Sequence, residues 1–264
     1  MLKILDKKFK IVFRGDKSLE FKANKPIELD KGLVLVEAGN GAGKSSLLSV
    51  LALVNSPDIE KDTIFFNDKD YYDLYSNRLF QDQKNIRSNE FVIITQEPYF
   101  LPFSLKENLR LLNYTESEMD SLIDEMQKKF KTINYDSMES ELSGGQKQRF
   151  FIEMMFNRIK KNQKKVIFID EPFNNLSGEN KVILLEKINK FSQSNLVFVV
   201  EHDITNNYED HHIDYEKLYK IKVNEGETTS SRTVKNVDSI EIKLIKVKDS
   251  QLKSFIDSLI RLAR

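Results

Sequence analysis

Leu33-Val34-Leu35-Val36 runs through Glu37 and Ala38 into Gly39-Asn40-Gly41-Ala42-Gly43-Lys44-Ser45-Ser46, and this stretch decides the fold. Four consecutive apolar residues are the pattern of a strand buried on both faces. Beyond the glycines, Leu47, Leu48, Val50, Leu51 and Leu53 supply the buried side of a helix. A strand that turns through glycines into a helix N-terminus makes a phosphate cradle. The glycines let successive backbone N–H groups point at phosphate oxygens, and the helix end adds partial positive charge. In that context Gly41-Ala42-Gly43-Lys44-Ser45 is a P-loop, with Lys44 reaching the β- and γ-phosphates and Ser45 offering its hydroxyl to Mg²⁺. The full pattern has glycine where Ala38 stands. Alanine is small, so a modest geometric effect is expected rather than loss of binding.

Around this unit the chain alternates strand and helix patterns. Lys10-Ile11-Val12-Phe13 and Pro26-Ile27-Glu28-Leu29 read as antiparallel-type strands, and Phe91–Ile94, Val166–Ile169 and Leu196–Val200 as buried ones. Helical patterns between buried strands predict an α/β fold with a parallel sheet wrapped by helices. Between the strands at Phe91 and Val166 lies a helical insert, about residues 98–160. Within it Ser104 with Glu107 and Thr115 with Glu118 have capping-box spacing. Met119, Leu122, Ile123, Met126 and Phe130 follow at helical spacing as core packing. The domain is expected over 1–216. Residues 217–264 then supply a last core strand, Leu218–Val223, and a strand–helix extension. In that extension the alternation Ile240, Ile242, Leu244 shifts phase at Ile245 and Val247, which predicts a bulge. A helical stripe follows from Leu252 to Ala263. This mildly basic end is expected to cover the domain or pair with its own copy.

Composition narrows the classes. The chain has 264 residues, 40% hydrophobic and 31% charged, with 41 basic residues balancing 41 acidic ones. Balance gives no global pull toward nucleic acid, and none is expected as a partner. The absence of cysteine excludes disulfides, thiolate metal sites and cysteine nucleophiles. No apolar run approaches the roughly 20 residues that cross a bilayer, and MLKILDKKFK lacks a secretory signal's apolar core. A cytoplasmic protein is expected, docked on a membrane partner if it acts at a membrane.

Two further motifs carry chemistry. Leu142-Ser143-Gly144-Gly145-Gln146 opens a helix running through Phe151 and Met155, so a serine hydroxyl, backbone N–H groups and a helix N-terminus converge as a second anion site. Val166-Ile167-Phe168-Ile169-Asp170-Glu171-Pro172 ends a buried strand on two carboxylates, at the strand edge where α/β sheets bind ligands. Asp170 suits a metal, directly or through water, and Glu171 suits a general base on an attacking water.

With the P-loop upstream and the acidic pair downstream, Leu142–Gln146 resembles the signature motif of the ATP-binding cassette family. The resemblance covers about residues 5–225. It implies a P-loop NTPase of cassette type, with N-terminal antiparallel strands, a parallel core sheet and a helical signature subdomain. It also implies ATP and Mg²⁺ as ligands. Two cassettes would enclose two ATP molecules head to tail, each P-loop facing the partner's Ser143, Gly144, Gly145 and Gln146. Residues Gly39 to Ser46 would hold the phosphates, and Ser45, Gln96 and Asp170 the metal. His202, after the strand at Leu196–Val200, matches the switch histidine at the γ-phosphate, whereas His211 and His212 read as surface residues. An aromatic residue normally stacks on adenine; Phe13 is the candidate, with Phe9 and Phe21 as competitors. Asn174-Asn175-Leu176-Ser177 matches the D-loop with serine in place of the usual aspartate.

The resemblance further implies transport driven through a separate transmembrane subunit, since family members mostly power transporters. Pro98 to Phe103, just after Gln96, is a candidate floor for the coupling groove; packing within the helical insert is the alternative. A soluble assembly or repair ATPase and a slow regulatory ATP clamp are the alternative functions.

Overall fold

The computed structural model describes residues 1–13, 18–37, 42–76, 79–110, 115–129, 133–162, 166–173, 176, 178–200, 218–225 and 237–246. Its elements are β1 (Leu2–Ile4), β2 (Lys8–Val12), β3 (Ser18–Ala23), β4 (Ile27–Leu29), β5 (Gly32–Glu37), α1 (Lys44–Leu51), β6 (Asp58–Ile59), β7 (Ile64–Phe66), β8 (Lys69–Asp70), α2 (Tyr71–Tyr75), α3 (Phe80–Asn89), β9 (Phe91–Ile94), α4 (Leu105–Arg110), α5 (Glu116–Lys129), α6 (Gly144–Asn162), β10 (Val166–Asp170), α7 (Gly178–Ser192), β11 (Leu196–Val200), β12 (Leu218–Glu225) and β13 (Val237–Lys246). They form a nine-stranded sheet, β6-β2-β3-β13-β12-β5-β11-β10-β9, and a four-stranded one, β4-β1-β7-β8.

Within the parallel core β12-β5-β11-β10-β9, the strands β5, β11, β10 and β9 are buried on both faces, as their continuous apolar runs require. Alternate residues of one strand enter different cores. Leu33, Leu35, Ile167, Ile169, Val197 and Val199 pack with α5, α6 and α7. Val34, Val36, Phe168, Phe198 and Val200 pack with α1 and the N-terminal strands. On that second face Phe168 stacks on Phe198 with centroids 5.2 Å apart and meets Phe91 edge-on at 5.3 Å, so one aromatic row ties β9, β10 and β11 together. Burying each such side chain contributes about 1.5–3 kcal/mol.

Both capping boxes form. Ser104 and Glu107 bond reciprocally at the start of α4, and Thr115 and Glu118 at the start of α5. Met119, Leu122, Ile123 and Met126 are buried in the helical subdomain. One expectation fails: β13 has no bulge. Its pairing with β12 runs in unbroken register from Glu225↔Ile240 to Tyr219↔Lys246. β13 is also parallel to β3, from Val237↔Ser18 to Ile242↔Ala23. At Leu244 and Ile245, beyond the pairing with β3, the ladder to β12 holds the strand in register and overrides the local shift in hydrophobic phase. The stripe from Leu252 to Ala263 lies outside the described residues. Among the described residues no helix is long and apolar enough to cross a membrane.

Candidate ATP site

Three functional segments leave the sheet in one row. Val36 on β5 pairs with Val200 on β11, Val200 pairs with Asp170 on β10, and Ile169 pairs with Ile94 on β9. The glycine loop follows β5, Glu171 follows Asp170, and Gln96 lies two residues beyond Ile94. All sit at the C-terminal edge, where parallel sheets place their ligands.

The loop enters α1 through Gly43, whose φ of 82° is left-handed, a conformation that favours glycine. Gly43 accepts the first helical bond, from Leu47 N–H at 2.8 Å. The next residue, Lys44, is 5% exposed, whereas Ser45 is exposed. Phe13, Leu19, Ala42, Gly43, Lys44, Ser45, Ser46 and Glu171 line a cavity of about 340 Å³. The structure therefore brings together Phe13, the described half of the phosphate loop and Glu171 of the acidic pair. Phe13 is 40% exposed, while Phe9 and Phe21 are buried and stacked on each other at 5.2 Å. The competitors for the adenine position are thus core residues. Sequence reasoning missed Leu19, the apolar wall beside Phe13; its signal was only a strand position close in number to Phe13.

Glu171 is 8% exposed and has φ 46°, a left-handed backbone that costs a side-chain-bearing residue of order 1–3 kcal/mol. Its N–H donates to Val200 C=O at 3.0 Å, extending the β10–β11 pairing one residue past the strand before the chain turns at Pro172. Gln96 Nε2 donates to Glu171 Oε2 at 2.6 Å, joining residues 75 apart in sequence. The base candidate is thus fixed by its own backbone and by a glutamine from the next strand.

The donors present suit a magnesium nucleotide. Ser45, Asp170 and the Gln96 amide carbonyl are hard oxygen donors at the edge beside Lys44. Among the described residues no cluster of three or more His, Asp or Glu forms a protein cage. Mg²⁺ is commonly held by one or two protein oxygens together with substrate phosphates.

The signature motif caps α6. Ser143 N–H donates to Gln146 Oε1 at 2.9 Å, and Ser143 Oγ accepts from Gln146 N–H at 3.3 Å. Ser143 and Gly144 are exposed, and a Cβ added to Gly144 would meet nothing within 4 Å. Packing within the chain does not require a glycine there. Ser143, Gly144, Gly145 and Gln146 do not line the cavity that holds Lys44 and Glu171. Gly39, Asn40, Gly41, His202, Asn174, Asn175 and Ser177 lie outside the described residues.

The sequence profile of the ABC transporter family matches residues 28–174. The chain belongs to the ABC transporter family. Solved cassettes share the fold. A dimeric post-hydrolysis structure of the ATP-binding cassette MJ0796, bound to ADP and Pi, is 20% identical, with TM-score 0.61 over 77% of this chain and 89% of that one. A second dimeric MJ0796 structure, described as a bacterial ABC transporter cassette, has TM-score 0.63 at 20% identity, over 84% and 94%. The cassette cbiO1 from Clostridium perfringens, part of the transporter complex cbiONQ, has TM-score 0.54 at 20% identity, over 77% and 78%. Comparison with curated proteins gives no match. Membership makes this ABC cassette a P-loop ATPase that binds nucleotide.

Proposed function

We propose that this cassette hydrolyses Mg-ATP as half of a head-to-tail pair, and that the pair powers a membrane transporter through a separate transmembrane subunit on the cytoplasmic face. The observation that carries the reading is the separation of its two anion sites. Lys44 and Glu171 share one cavity, while the signature end of α6 presents an exposed serine and an uncrowded glycine elsewhere. A second copy, turned to face the first, supplies the missing wall.

In this reading Phe13 and Leu19 hold the base, and the loop N–H groups with Lys44 hold the phosphates. Ser45, Asp170 and Gln96 hold Mg²⁺, which supplies charge neutralisation on the phosphate oxygens when bound. Glu171 takes a proton from water as the water oxygen bonds to the γ-phosphorus and the bond to the ADP oxygen breaks. The partner's Ser143 and α6 N-terminus meet the charge on the transferring group. By the family resemblance His202 would contact the γ-phosphate.

Pro98–Phe103 fits the role of coupling floor less well than expected. Phe100 packs on Phe150 and Phe151 with centroids 6.0 and 5.9 Å away, so it serves the helical subdomain, while Tyr99 is 71% exposed.

The chain contains no cysteine, so Ser46→Cys with Ser143→Cys gives a clean cross-linking test. Mg-ATP should produce covalent dimers through a short bis-maleimide. Cross-linking indifferent to Mg-ATP would remove the head-to-tail arrangement.

A further inference from the structure

Ser143 and Lys147 share one face at the start of α6. The Lys147 N–H donates to the Ser143 C=O at 2.9 Å, the i to i+4 bond of the first helical turn. That turn rises about 6 Å. Long side chains on a helix lean toward its N-terminus, so the flexible stem of Lys147 carries its ammonium back toward the level of the Ser143 hydroxyl. The signature end therefore has a cation on the same face as its exposed serine. The next cation along α6, Arg149, lines a groove against α7 instead.

Within the chain this ammonium meets a carboxylate. Lys147 Nζ lies 2.6 Å from Glu139 Oε2, in the short turn Glu139–Glu141 that leads into the signature. The neighbouring carboxylate is engaged elsewhere, since Glu141 Oε1 accepts from the Met138 N–H at 3.0 Å. Both members of the Lys147–Glu139 pair are partly exposed. Such a pair is weakly held, because water screens it and two flexible side chains must be ordered to make it. A triphosphate carries more charge than one carboxylate and offers several strong acceptor oxygens, so it competes well for the ammonium. A bare Glu139 beside the signature would repel that anion, and Lys147 cancels its charge.

We infer that Lys147 is a further nucleotide-binding residue of the composite site. On pairing it turns from Glu139 to the phosphate oxygens of the ATP held by the partner cassette. This role goes beyond Ser143, Gly144, Gly145 and Gln146, and it rests on the head-to-tail reading above.

The test uses the Glu171→Gln chain, which should stall with Mg-ATP bound, and reads solution mass across protein concentrations with and without Mg-ATP. Adding Lys147→Gln should weaken Mg-ATP-driven pairing about tenfold or more, the worth of a hydrogen bond to a charged group. Lys147→Arg keeps the charge and should restore most of the pairing. Raising salt should narrow the gap between Lys147→Gln and its parent. Nucleotide affinity of the dilute, unpaired chain should not move, because Lys147 does not line the cavity of its own cassette. Glu139→Gln separates this role from a structural one. A pair that only holds the signature turn in shape would make either loss weaken pairing alike. A lysine that serves the partner's nucleotide predicts that Glu139→Gln pairs as well as its parent, or more tightly. The inference is overturned if Lys147→Gln pairs like its parent, if Glu139→Gln weakens pairing as far as Lys147→Gln does, or if Lys147→Arg fails to rescue while melting like its parent. A parent chain that stays monomeric with Mg-ATP bound removes the head-to-tail reading and this inference together. A parent that pairs whatever side chain stands at position 147 removes this inference alone.

Discussion

Replacing Gln96 with leucine removes the donor of the 2.6 Å bond to Glu171 Oε2 while keeping a side chain of similar size. A hydrogen bond to a charged acceptor contributes about 1.5–3 kcal/mol net. If the bond holds the carboxylate where it meets the attacking water, that energy is realised in the transition state and appears in kcat. At about 1.36 kcal/mol per tenfold, Gln96→Leu should slow turnover by roughly ten- to 150-fold. Binding of metal-free nucleotide should change far less, because Gln96 does not line the cavity holding Phe13 and Lys44; affinity is therefore compared without Mg²⁺, which would lose one of its proposed oxygen donors. Gln96→Glu is the sharper variant, since it sets a second carboxylate against Glu171 in place of a donor. Phosphate release at saturating Mg-ATP gives kcat, and a fluorescent-nucleotide titration gives affinity. Turnover within twofold of wild type, or affinity falling as far as kcat, would refute the positioning argument.

Phe13→Ala should weaken nucleotide binding by about 1–3 kcal/mol, the usual worth of an aromatic platform under a base, without moving the melting temperature; a large drop in melting temperature would return Phe13 to the core. Phe168→Ala should cost about 3–5 kcal/mol in urea unfolding, because the ring is fully buried between Phe91 and Phe198. Thr115→Ala should cost about 1 kcal/mol by removing the α5 cap, with turnover retained. The Ser104 backbone N–H, and then its hydroxyl, hold the Glu107 carboxyl below its ordinary pKa. That stabilisation is present above the unfolded carboxylate pKa and is lost as pH falls through the lower folded value. An NMR titration of Glu107 should therefore move part of the way up in Ser104→Ala.

What was legible in the sequence followed from strong local constraints. The runs at Leu33, Phe91, Val166 and Leu196 are apolar at consecutive positions, which only a doubly covered strand tolerates, and each appears as a parallel strand. Gly43 before Lys44 was legible because φ 82° favours glycine. The Gln96–Glu171 contact was not, because it depends on how β9 and β10 align, and no local pattern encodes that register. Leu19 was missed for the same reason. It sits in an ordinary strand and reaches the cavity only because β3 lies beside β2. The bulge in β13 was a local inference overruled by the pairing with β12, which stays in register across Leu244 and Ile245. The aromatic run at 98–103 mixed two roles that only packing separates, with Phe100 set inward and Tyr99 left exposed.

The most direct test of the central claim is Mg-ATP turnover, measured together with solution mass, for the wild-type chain and Glu171→Gln. General-base assistance is worth about 10²–10⁴-fold. The wild-type chain should therefore release phosphate, while Glu171→Gln binds Mg-ATP, slows by that factor and accumulates as a dimer. A Glu171→Gln chain that turns over at the wild-type rate, or that stays monomeric with Mg-ATP bound, would contradict the assignment of Glu171 and the head-to-tail pair.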